Sequence, residues 1–103
     1  MDKDKGLEKW TRVAPRIMCK DGVSLSVQVG AHAYCEPRLY GDHVYTHKEV
    51  GFIRDAAGDP MAGPESWREY ADWIDPEDGI TDVYGYVPTE LIEEFITLHG
   101  GRV

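Results

Sequence analysis

The most regular stretch of the chain is "GVSLSVQVG", in which Val23, Leu25, Val27 and Val29 alternate with Ser24, Ser26 and Gln28. A period of two puts the aliphatic side chains on one side of an extended backbone and the hydroxyls and amide on the other, so a strand with one buried face is expected. Asp21-Gly22 just before it is a hairpin signal, because a type I′ turn needs positive φ and glycine supplies it without steric cost. "TRVAPRIMC" carries Val13, Ile17 and Met18 but is interrupted by Pro15, which suits an edge strand with a break. Residues 13–29 therefore predict a β-hairpin. "VYTHKEVGFI" predicts a third strand, with Val44, Thr46, Val50 and Phe52 on one parity and Tyr45, His47 and Glu49 on the other.

Further along, the period changes. "PESWREYADWI" has Trp67, Tyr70, Ala71 and Ile74 at helical spacing and predicts a short helix ended by Asp75-Pro76. "TDVYGYV" reads as a strand. "PTELIEEFITLHGG" predicts a helix, with Pro88 at its first position, Glu90 in the first turn and Gly100 in a left-handed cap after His99. Its apolar stripe is Leu91, Phe95 and Leu98, with Ile92 and Ile96 beside them. The expected fold class is α+β: an antiparallel sheet of about four strands with a C-terminal helix packed across it and a short second helix. At 103 residues the chain is expected to form a single domain, with residues 1–9 frayed, Trp10 the first anchor and residues 54–64, rich in Gly, Pro and Ala, a mobile loop.

Composition leaves that picture intact, whereas charge changes it. The content is 42% hydrophobic, as in folded domains, and no apolar run approaches the roughly 20 residues of a membrane span. A cytoplasmic protein without membrane contact is expected, and two cysteines do not make a disulfide framework. The net charge of -8 argues against direct binding of nucleic acid, whose phosphates need clustered Lys and Arg. Residues 1–64 balance nine acids against nine bases, while residues 65–94 hold ten acids against Arg68 alone. The whole excess thus lies in one third of the chain.

The segments "CKDGVSLSVQVG", "YCEPR", "EVGF" and "VYGYVPTELIEEFITLHGG" together resemble a family of small uncharacterised proteins of bacteriophages and prophages. The resemblance covers about Cys19 to Gly101 and excludes the charged N-terminus and the "RDAAGDPMAGPESW" insertion. It implies a small accessory protein of a mobile element, in the cytoplasm of a bacterial host, acting on a host system.

Several constellations bear on chemistry. Cys19, His32 and Cys35, with His43 and His47, contain the ligand types of structural zinc, but the spacing is irregular and has no CxxC knuckle. A zinc-stabilised or thiol-dependent module on Cys19, His32 and Cys35 is the alternative reading, against buried structural thiols. No nucleophile elbow, Cys-His signature, GxGxxG or P-loop occurs, so no catalytic residue, enzyme activity or cofactor is expected. "DWIDPEDGITD" imitates a calcium loop around Gly79, yet aligning that glycine puts Ile74 and Pro76 where oxygen ligands are required. What remains is the acidic block itself. Glu69, Asp72, Asp75, Glu77, Asp78, Asp82, Glu90, Glu93 and Glu94 are the candidate partner-binding residues, with Trp67 and Ile74 fastening the block to the body. Clustered carboxylates steer association with a basic surface of a host protein or nucleoprotein. Inhibition of antiviral defence, such as a CRISPR complex, by a surface that mimics nucleic acid is the function this suggests. A solvated face that keeps the protein soluble is the plainer explanation.

Overall fold

The computed structural model describes residues 14–39, 41 and 43–103. Trp10, Val13 and the N-terminal segment expected to fray lie outside them. Five strands form one antiparallel sheet: β1 (Ile17–Met18), β2 (Ser24–Gln28), β3 (His47–Arg54), β4 (Ala71–Ile74) and β5 (Thr81–Pro88), in the order β1-β2-β3-β5-β4. A 3-10 helix, Glu65–Tyr70, precedes β4, and one α-helix, α1 (Thr89–Leu98), follows β5. The α+β class expected from the sequence is present, with five strands instead of about four.

The extra strand comes from the segment with helical spacing. Only Glu65–Tyr70 is helical, as a 3-10 turn that buries Trp67 to 1% exposure. Ala71 to Ile74 is extended and pairs antiparallel with β5. Backbone pairing to a neighbouring strand outweighs a short amphipathic pattern, because an isolated helix of that length is marginal in water. Trp67 does fasten the segment to the body; Ile74 does not, being 55% exposed.

The first turn also differs in detail. Cys19 N–H donates to Val23 O at 2.8 Å and Gly22 N–H to Cys19 O at 3.0 Å, so the loop has three residues. Gly22 alone takes positive φ, at 97°, and Asp21 does not. This is a turn closed by a left-handed glycine, not a type I′ pair. Asp21 is instead used through its side chain, which accepts from Val23 N–H at 3.0 Å.

The two central strands share a bulge. Ser24 and Ser26, two apart on β2, pair with Arg54 and Gly51, three apart on β3; Lys48 and Val50 likewise face Val87 and Tyr84 on β5. The extra residue follows a glycine in each strand, in Val50-Gly51-Phe52-Ile53 and Tyr84-Gly85-Tyr86-Val87. Phe52 and Tyr86 have φ of 50° and 54°, a region rarely occupied by aromatic residues. One inserted residue shifts the parity, so Val50 and Ile53 are buried while Phe52 is exposed. That is why the simple alternation read along β3 fails after Gly51. Val44, on the same parity as the buried Val50, is also exposed, since the strand starts only at His47.

Val27, Val50, Tyr84 and Ala71 form one lateral row, and all belong to the core or pack against it. Ile92, Phe95 and Ile96 of α1 complete that core, together with Leu25, Val87 and Trp67. Trp67 meets Tyr84 edge-on and Phe95 at 5.2 Å. Leu98, counted in the helix stripe, is 76% exposed because it lies beyond the sheet-facing arc. The helix ends in a Schellman motif: Gly101 N–H donates to Ile96 O and Gly100 N–H to Thr97 O, with both glycines at positive φ.

The adjacent row, Ser26, Gly51, Val83 and Trp73, faces the other way. Arg16 lies on this side of β2, donating to Ser24 Oγ and to Phe52 O. Tyr34 packs against the backbone at Gly85, where a Cβ would meet the tyrosine Cβ at 3.1 Å. The segment expected as a mobile loop is hydrogen-bonded within itself: Asp55 Oδ1 accepts from Ala57 N–H and Asp59 N–H, and Met61 N–H returns to Ile53 O.

Candidate binding site

The acidic candidates fall into two groups. The first surrounds β4 and its turn into β5. Glu69 lies in the last turn of the 3-10 helix, Asp72 is exposed on β4, and Asp75, Glu77 and Asp78 occupy the turn. Two of these carboxylates explain the calcium-like composition. Asp75 Oδ1 accepts from Glu77 N–H, Asp78 Oδ1 accepts from Ile80 N–H, and both bonds are 2.8 Å. The aspartates build the turn by satisfying its backbone. Asp82 is held above the usual carboxylate range, first by desolvation and then by the charges of Asp75 and Asp78. These like charges therefore act on one another in the folded protein.

The second group lies along α1. An open groove of about 900 Å3 runs between the helix and the 3-10 segment. Pro64, Trp67, Leu91 and Leu98 supply its apolar lining, and Glu90, Glu93 and Glu94 its charges. Glu93 is held by Arg102 through two bonds of 3.1 Å. Among the described residues, the other ion pair in the acidic block is Glu65 with Arg68, at 2.9 Å. Of the ten carboxylates in residues 65–94, eight thus have no cation beside them among the described residues.

The cysteines do not come together with the histidines as a cluster. Cys19 is part of the helix-side core, and burial pushes its thiol up from the ordinary value, which lowers its nucleophilic fraction. Cys35 is buried in the loop before β3, its sulfur within 3.4 Å of Gly30 N and 3.2 Å of Pro37 O. His32 is exposed. Among the described residues, no group of three or more His, Cys, Asp or Glu side chains is arranged to hold a metal ion.

Sequence reasoning missed two things. It placed Trp73 in a helix, whereas the side chain is 50% exposed on an edge strand. The run Ala71-Asp72-Trp73-Ile74 offers little signal beyond a β-preferring pair of residues. It also overlooked the pairing of His99 Nδ1 with Asp21 Oδ2 at 2.7 Å across 78 residues, which nothing local announces.

Searches against protein-family models, curated proteins and solved structures gave no match for the chain. Among the described residues, no helix is long and apolar enough to cross a membrane.

Proposed function

We propose that the protein is a non-enzymatic binding module that engages a basic surface of a host protein or nucleoprotein through its acidic third. The observation that carries this reading is the set of eight carboxylates without ion pairs among the described residues, two of which, Glu90 and Glu94, flank a groove with an apolar lining. Carboxylates beside exposed apolar surface suit a cationic protein segment, which adds desolvated contact to the Coulombic attraction. A bare solvated face would need no such groove. Phosphate backbones are repelled by the same charges, so nucleic acid is engaged only through a protein that binds it.

The setting rests on the resemblance of the "YCEPR", "EVGF" and "VYGYVP" segments to phage and prophage proteins. In that setting, the module is an accessory protein of a mobile element in the bacterial cytoplasm, and an inhibitor of defence complexes that carry basic nucleic-acid channels.

Affinity capture from a bacterial lysate tests the reading. The comparison is between the native chain and one with Asp72→Asn, Glu77→Gln, Glu90→Gln and Glu94→Gln, whose side chains are exposed and make no hydrogen bond among the described residues. Partners specific to the native chain should be lost from the variant and lost at high ionic strength, where charge attraction is screened. An unchanged set of captured proteins would sink the proposal.

A further inference from the structure

We infer that the free edge of β4 accepts an extended segment carrying Lys or Arg, which joins the sheet as a sixth strand. β4 terminates the sheet order, and its one described partner is β5. Among the described residues no strand pairs with its outer side, and apart from Ala71 N–H, which donates to Arg68 O, its outward N–H and C=O groups are left to a pairing chain. Trp73 and Ile74, 50% and 55% exposed, provide apolar contact beside those groups.

Charge selects the occupant. From Glu69 to Asp82 the edge and its turn carry Glu69, Asp72, Asp75, Glu77, Asp78 and Asp82, while the nearby Arg68 is turned to Glu65. A second copy pairing through β4 would bring this acidic edge against itself, and like charges opposite one another destabilise strand pairing. A strand with cationic side chains meets the same carboxylates favourably. A nucleic acid offers neither a pairing backbone of this kind nor the right charge. The opposite edge of the sheet is already occupied, because residues 101–103 lie along β1. β4 is therefore the edge open to strand addition.

This inference rests on the proposed function and adds its mode, so the test separates the two. The probe is a short peptide of alternating lysine and valine, compared with the same peptide N-methylated at alternate amides. N-methylation keeps charge and side chains but removes the bonds of one strand edge. Residue-resolved amide shifts and hydrogen exchange of the full chain locate the contact. The expected result is protection of outward-facing amides in residues 72–74 and about tenfold or greater loss of affinity on N-methylation. Asp72→Lys, at an exposed position, should weaken the unmodified peptide by a similar factor while leaving amide shifts elsewhere unchanged. Equal affinity for both peptides, or shifts confined to the α1 groove, overturns strand addition and leaves acidic binding standing. Absence of binding at either place overturns both readings, and a dimer formed through β4 without peptide overturns the choice of occupant.

Discussion

At the β1 edge, Val103 N–H donates to Met18 O and Lys20 N–H to Gly101 O, so the chain's own C-terminal residues run along the strand. At the β4 edge, a tryptophan and an isoleucine are half exposed on a strand with no outer partner among the described residues. The first edge is further tied by His99 to Asp21, and by Arg102 to Glu93. The second is surrounded by carboxylates, Asp72, Asp75, Glu77 and Asp78, that have no cation beside them among the described residues. Edge strands are protected by covering, by charge, by shortness or by bulges; here residues 101–103 cover β1, whereas β4 is four residues long, irregular in register and flanked by carboxylates. Covering closes an edge to every partner, whereas charge closes it only to partners of the same sign.

Four changes would break or sharpen this contrast. Phe95→Ala should have the largest effect, since Phe95 packs between Trp67 and the His99 ring, at 5.2 and 4.5 Å, and supports the closed edge from the core. A loss of about 3–5 kcal/mol is expected for a buried phenylalanine, read from urea denaturation. Deleting residues 101–103 removes the covering segment but little apolar burial. About 1–2 kcal/mol should be lost, with faster amide exchange at Lys20, whose N–H donates to Gly101 O of the tail.

Asp21→Asn tests the side-chain tie through its pH dependence. Val23 N–H and, next, His99 hold the Asp21 carboxyl below the usual carboxylate range. A carboxylate with a lowered folded-state pKa contributes its full stability above the ordinary pKa of about 4 and loses it as pH falls through the folded value. The melting temperature of Asp21→Asn should therefore lie below that of the native chain near neutral pH, with the gap narrowing in acid. A gap that stays constant down to low pH would show that the tie is not ionic. The smallest effect belongs to the open edge. Trp73→Ser should change stability by no more than about 0.5 kcal/mol, because the lost ring is half exposed. A much larger loss would mean that the β4 edge is already covered.

The sheet was legible where local rules and tertiary context agree. β2 was legible from its alternating residue types, with Leu25 in the core beside the helix residues and Ser24 bonded to Arg16 on the other face, and α1 announces itself through its stripe and its Gly100-Gly101 cap. β4 was not legible. Its residues fit a helix as well as a strand, and the decision came from β5, which follows the β4–β5 turn in sequence. The acidic candidates were all named from composition, but their separation into a β4 group and an α1 group follows from how the 3-10 segment and the helix pack.

By itself, the sequence determined the α+β class, the hairpin, the C-terminal helix and the confinement of the excess charge to residues 65–94. These depend on periodicity, capping and counting, which are local properties. Only the tertiary structure decided the bulges at Phe52 and Tyr86, the strand identity of Ala71 to Ile74, and which sheet edge is covered. Each of these depends on hydrogen bonds between residues far apart in the chain, and such pairings leave no period in the sequence.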